Sequence, residues 1–218
     1  MASHSAVLAA YRFDAAPRQN STDTDAGSTA SAFSLSGGTA TGGSPTQAAI
    51  SSDTNQPYIR SLSLTSTKAG AIAENDYFSF TLTPTGGSSH DLGLLNFQFG
   101  GSNVTSGGAD YTAFMSLQAS VNGGAFFDVG PEVSRTILFN STSSPQLSDY
   151  SIDLGAVSAL QGLTDPVTFR FYLYSSVSTD TNIVRMDNII LNNVPEAGSA
   201  ALCMVGSLVA VGLRRRAC

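Results

Sequence analysis

The sequence predicts an all-β protein: a two-sheet antiparallel β-sandwich over residues 1–193, followed by a single C-terminal apolar helix. Short segments of about six residues alternate apolar and polar side chains, which is the period of a half-buried strand. Turn residues separate these segments at intervals of about ten to fifteen residues, as expected for a sandwich of about ten strands. Charged residues make up only 12% of the chain, and Trp is absent. This composition is typical of a surface protein with many turns.

The N-terminal part combines one β-prone run with a long polar loop. Residues 7–13 are predicted to form the first strand, which ends before Pro17. Residues 18–44 are mostly Ser, Thr, Gly, Asp and Ala, so we expect a flexible surface loop there. One short strand is predicted at 31–35, anchored by Phe33 and Leu35.

The central strands show the clearest alternation. Strands are predicted at 59–64, 76–83 and 92–100, because alternate side chains in each run are apolar. These alternate side chains should point into the space between the two sheets. They are Leu62, Leu64, Phe78, Phe80, Leu82, Leu95, Phe97 and Phe99.

The second half of the body continues the all-β pattern. The glycines of Asn122-Gly123-Gly124 predict a hairpin turn, and residues 155–163 suggest only a short helical turn. We expect the first and the last strand of the body to pair. The strands predicted in this half are 111–121, 125–129, 134–139, 150–154, 167–174 and 182–191.

The C-terminal tail, residues 194–218, differs from the body. No residue from 197 to 213 is charged, and as a helix this run would be about 25 Å long, close to the thickness of a bilayer core. Arg214, Arg215 and Arg216 follow at once, and such clusters stay on the cytoplasmic side, which places the body outside. A buried core helix is the alternative. The predicted membrane segment contains Ala200, Leu202, Val205, Leu208, Val209, Val211 and Leu213.

The layout of this tail resembles the PEP-CTERM sorting signal of bacterial exported proteins. Val194, Pro195 and Glu196 precede the apolar segment and the arginine cluster, and Ala197 stands where the family usually has a second proline. The resemblance implies that a membrane-embedded exosortase is a partner and recognises Pro195 and Glu196. It also implies an exported protein of the cell envelope or extracellular matrix that is membrane-anchored before processing.

A second resemblance concerns the end of the body. Residues 167–191 contain an aromatic strand, a polar loop and a closing strand with Asp187. This arrangement resembles the end of the jelly-roll domains that are common in PEP-CTERM proteins and in carbohydrate-binding modules. The resemblance implies a jelly-roll-like sandwich and a structural calcium ion near Asp187 and Asp14, with a hydrogen-bonded structural aspartate as the competing interpretation of Asp187.

The N-terminus does not show the signal peptide that export implies. Residues 1–5 contain no Lys or Arg and thus no basic signal region, and the apolar stretch 6–10 is too short for a hydrophobic signal region. We therefore expect a fragment, a processed form or a mis-assigned start, with unconventional export as the alternative. Cys203 and Cys218 both lie in the tail, so no disulfide is expected in the body.

The net charge and one sequence motif argue against two classes of function, nucleic-acid binding and triad-based hydrolysis. The net charge is −6 and Lys68 is the single lysine, which argues against nucleic acid as a partner. Ser89-His90-Asp91 has the residue types of a hydrolase triad, but sequence neighbours cannot form triad geometry. We interpret this motif as a loop and expect no catalytic residues.

Tyr172 and Tyr174 are the candidates for sugar binding. Both lie on one face of a predicted strand and could form an exposed platform for a glycan, although packing between the sheets is an equal alternative. The leading hypothesis is a non-enzymatic exported protein sorted by its tail. The alternatives are a protein similar to a carbohydrate-binding module that binds exopolysaccharide, and a secreted glycan hydrolase.

Overall fold

Two antiparallel sheets pack face to face in the computed structural model, which confirms the predicted all-β sandwich. The structure describes residues 6–14, 18–23, 25–36, 47–50, 56–60, 65–103, 109–139, 144–177 and 182–194. The predicted C-terminal helix, Pro195, Glu196 and the arginine cluster lie outside these residues. Within the described part of the chain, no helix is long and apolar enough to cross a bilayer.

The strands are numbered along the chain. They are β1 (Val7–Tyr11), β2 (Ser28–Ala30), β3 (Ser34–Ser36), β4 (Gln47–Ile50), β5 (Pro57–Arg60), β6 (Tyr77–Pro84), β7 (Leu92–Asn103), β8 (Tyr111–Val121), β9 (Phe127–Asp128), β10 (Val133–Ile137), β11 (Gln146–Asp153), β12 (Val167–Ser175) and β13 (Asn182–Asn193).

Each sheet is built around long central strands. Sheet A has the order β11-β7-β13-β5-β4, and β1 also pairs with β13. Sheet B has the order β10-β8-β12-β6-β2, and β3 and β9 pair with β6 and β8. Ala9 stands opposite Leu191 and Tyr11 opposite Ile189, so the predicted pairing of the first and last strands is confirmed.

The space between the sheets is filled as the alternation predicted. Six of the predicted inward side chains are buried in one continuous core, which β12 completes with Phe169, Phe171 and Leu173. The predicted burial of Leu62 and Leu64 lies outside the described residues. The six are Phe78, Phe80, Leu82, Leu95, Phe97 and Phe99.

The described part of the polar stretch after β1, residues 18–23 and 25–36, contains more strand than predicted. It contributes two short strands, β2 and β3, where the sequence predicted one. Phe33, between them, is buried among the rings of Tyr11, Phe13, Phe78 and Phe171. Phe33, together with the partly buried Leu35 and Ala30, therefore anchors a segment of mostly small polar residues to the core.

One helix, α1 (Lys68–Glu74), was not predicted. Thr67 caps it by accepting a 3.1 Å hydrogen bond from the Gly70 N–H, and Asn75 ends it with a φ of 58°. Ala71 is buried against the outer face of sheet B. The predicted helical turn within 155–163 is a 3₁₀ turn at Ser158–Leu160.

Candidate functional site

The outer face of sheet A contains an open depression of about 360 Å³ across β11, β7 and β13. The register of these strands brings polar residues into rows: Gln98 stands opposite both Asp149 and Asp187, and Asn96 opposite Ser151. Since Leu95, Phe97 and Phe99 face the core, the two-residue period turns Asn96 and Gln98 outward. We call this depression the groove. Its lining residues are Asn96, Phe97, Gln98, Asp149, Tyr150, Ser151, Asn188 and Ile190.

Hydrogen bonds connect the polar side chains of the groove. Asn188 Nδ2 donates to Gln98 Oε1 at 3.1 Å, and Gln98 Nε2 donates to Asp149 Oδ1 at 3.0 Å. Asn188 lies at a register shift in β13 and has a φ of 48°. The groove therefore presents amides, a carboxylate and a hydroxyl in a partly fixed arrangement.

Asp187 lies beside the groove and is hydrogen-bonded on both carboxylate oxygens. Its Oδ1 accepts from the Asn188 N–H at 2.8 Å, and its Oδ2 accepts from Gln56 Nε2 at 3.3 Å. Burial raises the pKa of Asp187; the two hydrogen bonds lower it, and the negative charge of Asp14 raises it further. The two residues predicted to hold calcium therefore lie close enough to repel each other.

The surroundings of Asp187 fit a hard cation in part. Gln56 Oε1 is buried without a hydrogen-bond partner, and carboxylate and amide oxygens are ligands that calcium prefers. Within the described residues, however, no group of three His, Cys, Asp or Glu side chains could hold a metal ion. Calcium at Asp14 and Asp187 stays a prediction.

Asp187→Asn is expected to raise the free energy of unfolding at about pH 7 in the presence of a chelator. Because the folded-state pKa of Asp187 is raised, its contribution to stability is full below the unfolded pKa of about 4 and is lost as the pH rises through the folded-state pKa. The asparagine side chain stays neutral. The Gln56 amide can turn so that Oε1, which has no partner in the wild type, accepts a hydrogen bond from the NH₂ group of the new asparagine. Urea unfolding at about pH 7 and about pH 3 checks this, with the difference vanishing in acid.

The same pair of proteins tests the calcium prediction. If Asp187 and Asp14 hold calcium, millimolar calcium raises the Tm of the wild type and leaves the Tm of the variant unchanged. A variant that is less stable than the wild type at about pH 7 in chelator would contradict the raised pKa of Asp187.

Tyr172 and Tyr174 do not form an exposed platform. They lie on the outer face of sheet B, but they are only 2% and 3% exposed, because Ala71 of α1, Tyr77 and Phe114 pack against them. The alternative, packing between the sheets, is also wrong, since that space is filled by Phe169, Phe171 and Leu173.

The Tyr174 hydroxyl is used in a local network. It donates to the Glu132 carboxylate and lies 3.1 Å from Ser116 Oγ. Burial, followed by the hydrogen bond to Glu132, raises the pKa of Tyr174 to about 12. This tyrosine stays protonated at physiological pH and serves the packing of α1.

His90 has a structural position. It is buried, its Nε2 lies 2.9 Å from the Gly27 carbonyl oxygen, and its backbone pairs with Leu163. Asp25 Oδ2 lies 3.8 Å from His90 Nε2, but Ser28 Oγ donates to Asp25. Among the residues that the structure describes, His90 has no hydrogen bond to a serine hydroxyl, so Ser28, His90 and Asp25 do not have the geometry of a nucleophilic triad.

Sequence reasoning missed the residues of the groove. Asn96 and Gln98 occupy the outward positions of a strand whose inward positions were predicted correctly, so the alternation itself was a signal. Asp149 and Ser151 alternate in the same way with Tyr150 and Ile152. Nothing in the sequence indicated that these two strands, β7 and β11, are neighbours.

No protein-family model and no curated protein matches the sequence. Three solved structures similar to the chain are carbohydrate-binding modules. A module described for specific mannan recognition is 9% identical, with 88% of this chain and 99% of that chain covered and a TM-score of 0.43. A xylan-binding domain from Paenibacillus barcinonensis is 12% identical, with 90% and 100% covered and a TM-score of 0.38. A module specific for non-crystalline cellulose is 11% identical, with 72% and 85% covered and a TM-score of 0.43. These likenesses are too distant to assign a ligand or a site residue to this chain.

Proposed function

We propose that this chain is a non-enzymatic carbohydrate-binding protein that holds a polysaccharide in the groove of sheet A. The observation that supports this is the row of amide, carboxylate and hydroxyl groups of Asn96, Gln98, Asp149 and Ser151 beside the apolar Ile190. A sugar presents hydroxyl groups at its edge and C–H groups on its face, so it needs polar partners next to an apolar surface.

The shape of the groove suits a chain better than a small molecule. The depression is open and runs across three neighbouring strands. Strands lie about 4.8 Å apart, so the polar row extends over about 10 Å. An extended glycan can lie along such a row and continue at both ends into solvent.

Binding is favoured over hydrolysis by the number of carboxylates. Among the described lining residues, Asp149 is the single carboxylate. Glycoside hydrolysis by acid and base generally requires two that face the same bond. Asp187, which stands opposite Gln98, accepts hydrogen bonds from Gln56 and Asn188.

The sheets offer a matched pair of variants for the test. Gln98 donates to Asp149 at 3.0 Å on sheet A, and Gln118 donates to Asp128 at 2.9 Å on sheet B. We expect Gln98→Ala to weaken polysaccharide binding about tenfold, because the groove loses an amide that would hydrogen-bond the glycan, and Gln118→Ala to leave binding unchanged. Affinity electrophoresis against galactomannan, xylan, hydroxyethyl cellulose and polygalacturonate measures this.

Two outcomes contradict the proposal. Wild-type protein that is retarded by none of the four polysaccharides does not bind glycans of these classes. Equal loss of binding in both variants, or loss in Gln118→Ala alone, would move the site away from the groove.

We also propose that the protein is exported and sorted through its tail to the cell envelope or extracellular matrix. The supporting observation is the order of Val194-Pro195-Glu196, an uncharged segment and three arginines. An exosortase-type membrane enzyme is the proposed partner, and the bilayer would hold the segment before processing. Cells that produce the protein behind a signal peptide should lose it from the membrane fraction when residues 194–218 are deleted. Equal soluble yield with and without the tail contradicts this proposal.

A further inference from the structure

The hydrogen bonds that connect Asn188, Gln98 and Asp149 in the groove can run in only one donor-to-acceptor order. A carboxylate only accepts hydrogen bonds, so the Gln98 amide must turn its NH₂ group towards Asp149, as the 3.0 Å contact shows. Gln98 Oε1 then points the other way and requires a donor. Asn188 Nδ2, at 3.1 Å, provides it. Asn188 therefore supports the orientation of the Gln98 amide that the Asp149 carboxylate requires.

The backbone of β13 delivers Asn188 to this position. Asp187 pairs with Gln98 and Ile190 with Asn96, so one residue too many stands between these two pairs. Such a bulge re-aims side chains locally. Asn188 has a φ of 48°, a region that asparagine adopts more readily than most residues, and its N–H is held by Asp187 at 2.8 Å.

Asp149 is left able to bind a ligand. Its Oδ1 accepts from Gln98, and its exposed carboxylate keeps further acceptor capacity towards the groove. Two neighbouring hydroxyl groups of a sugar can both donate hydrogen bonds to one carboxylate.

The charge around the groove is negative. The described lining residues include no Lys or Arg, Asp187 lies alongside, and the whole chain has a net charge of −6. A uronic acid or a sulfated sugar would therefore be repelled.

We propose that Asn188 is a positioning residue which, through Gln98, holds the Asp149 carboxylate in place to accept adjacent hydroxyls of an uncharged polysaccharide. This inference rests on the proposed glycan binding in the groove. It adds the class of glycan and the residue that controls the geometry of the acceptor.

The first arm of the test compares ligands and carboxylates. With chelator present, isothermal titration of the wild type should show binding to at least one of galactomannan, xylan and hydroxyethyl cellulose, and at least about tenfold weaker binding to polygalacturonate. Asp149→Asn should weaken binding of the uncharged ligand about tenfold. Asp153→Asn, on the same strand and face but outside the groove, should not change it.

The second arm tests the chain of hydrogen bonds. Gln98→Glu has the same shape but turns a carboxylate oxygen towards Asp149, so we expect about a tenfold loss of affinity. Asn188→Gly keeps the positive φ without strain and removes only the donor to Gln98, so we expect a loss of about threefold to tenfold. Thermal unfolding of both variants checks that the fold is retained.

A double-mutant cycle separates positioning from a merely structural role. If Asn188 acts through Asp149, Asn188→Gly should have almost no further effect on affinity in the Asp149→Asn background. The same fold-loss in both backgrounds, or no loss in either, overturns the inference while wild-type binding keeps the proposed function intact. Tighter binding of polygalacturonate than of the uncharged ligands overturns the assigned glycan class. Absence of binding to all four polysaccharides overturns both the proposed glycan binding in the groove and the role assigned to Asn188.

Discussion

Phe33→Ala is expected to lower the free energy of unfolding by about 3–5 kcal/mol, because it removes a fully buried ring from the aromatic core. The Phe33 ring centroid lies 5.2 Å from those of Tyr11 and Phe13, and 5.7 Å from that of Phe78. The segment between β2 and β3 has few other apolar side chains with which to fill the space. Urea denaturation followed by tyrosine fluorescence measures the change.

Leu138→Ala is the matched control for Phe33→Ala. Leu138 is 55% exposed, so its truncation should change the free energy of unfolding by no more than about 0.5 kcal/mol. If Phe33→Ala is equally mild, Phe33 does not anchor the polar segment and its burial has little energetic weight.

Gly101→Ala is expected to cost about 3 kcal/mol, near the upper end of overpacking effects. A Cβ at Gly101 would overlap with the Ile183 carbonyl oxygen and with the Tyr111 hydroxyl. Tyr111, from sheet B, donates at 2.7 Å to the Ile183 carbonyl and at 3.1 Å to the Ser102 carbonyl of sheet A. An added methyl group would therefore both strain β13 and break a hydrogen-bonded link between the sheets.

Tyr111→Phe separates the cost of the broken hydrogen bonds from the cost of the steric clash. It removes the hydroxyl and should cost about 1–3 kcal/mol by itself. In the double variant the clash with the hydroxyl is gone. Its loss of unfolding free energy should therefore be smaller than the sum of the losses of the two single variants. Strict additivity in urea denaturation would show that the Cβ does not reach Tyr111.

The core of this fold could be predicted from the sequence, because inward and outward side chains differ in chemistry. The alternation in 76–83 and 92–100 identified six buried side chains correctly. The pairing of the first and last strands was also confirmed. The helix α1 was missed because its apolar face is short, with Ala71 as its one buried residue.

The candidate site could be predicted only in part. Tyr172 and Tyr174 were predicted to share one face of a strand, with an exposed platform and packing between the sheets left as alternatives; they lie on the outer face of sheet B, where α1 covers them. Burial and the negative charge of Asp14 raise the pKa of Asp187, and calcium at these two residues stays a prediction. The groove depends on the order β11-β7-β13, in which each pair of neighbours is far apart in sequence. A polar residue at an outward position gives no sign of its partners on other strands, and nothing in the sequence indicated the bulge at Asn188.

β13 connects the groove directly with the tail. It contains Asn188, ends at Asn193 and continues into Val194. The strand is flanked by β7 on one side and by β1 and β5 on the other. Hydrogen bonds of antiparallel strands are perpendicular to the strand direction, so tension between a glycan in the groove and a tether at the tail would load both ladders in shear. Many bonds would then share the force at once, and a body held by its C-terminal end could resist being pulled open by the polymer that it binds.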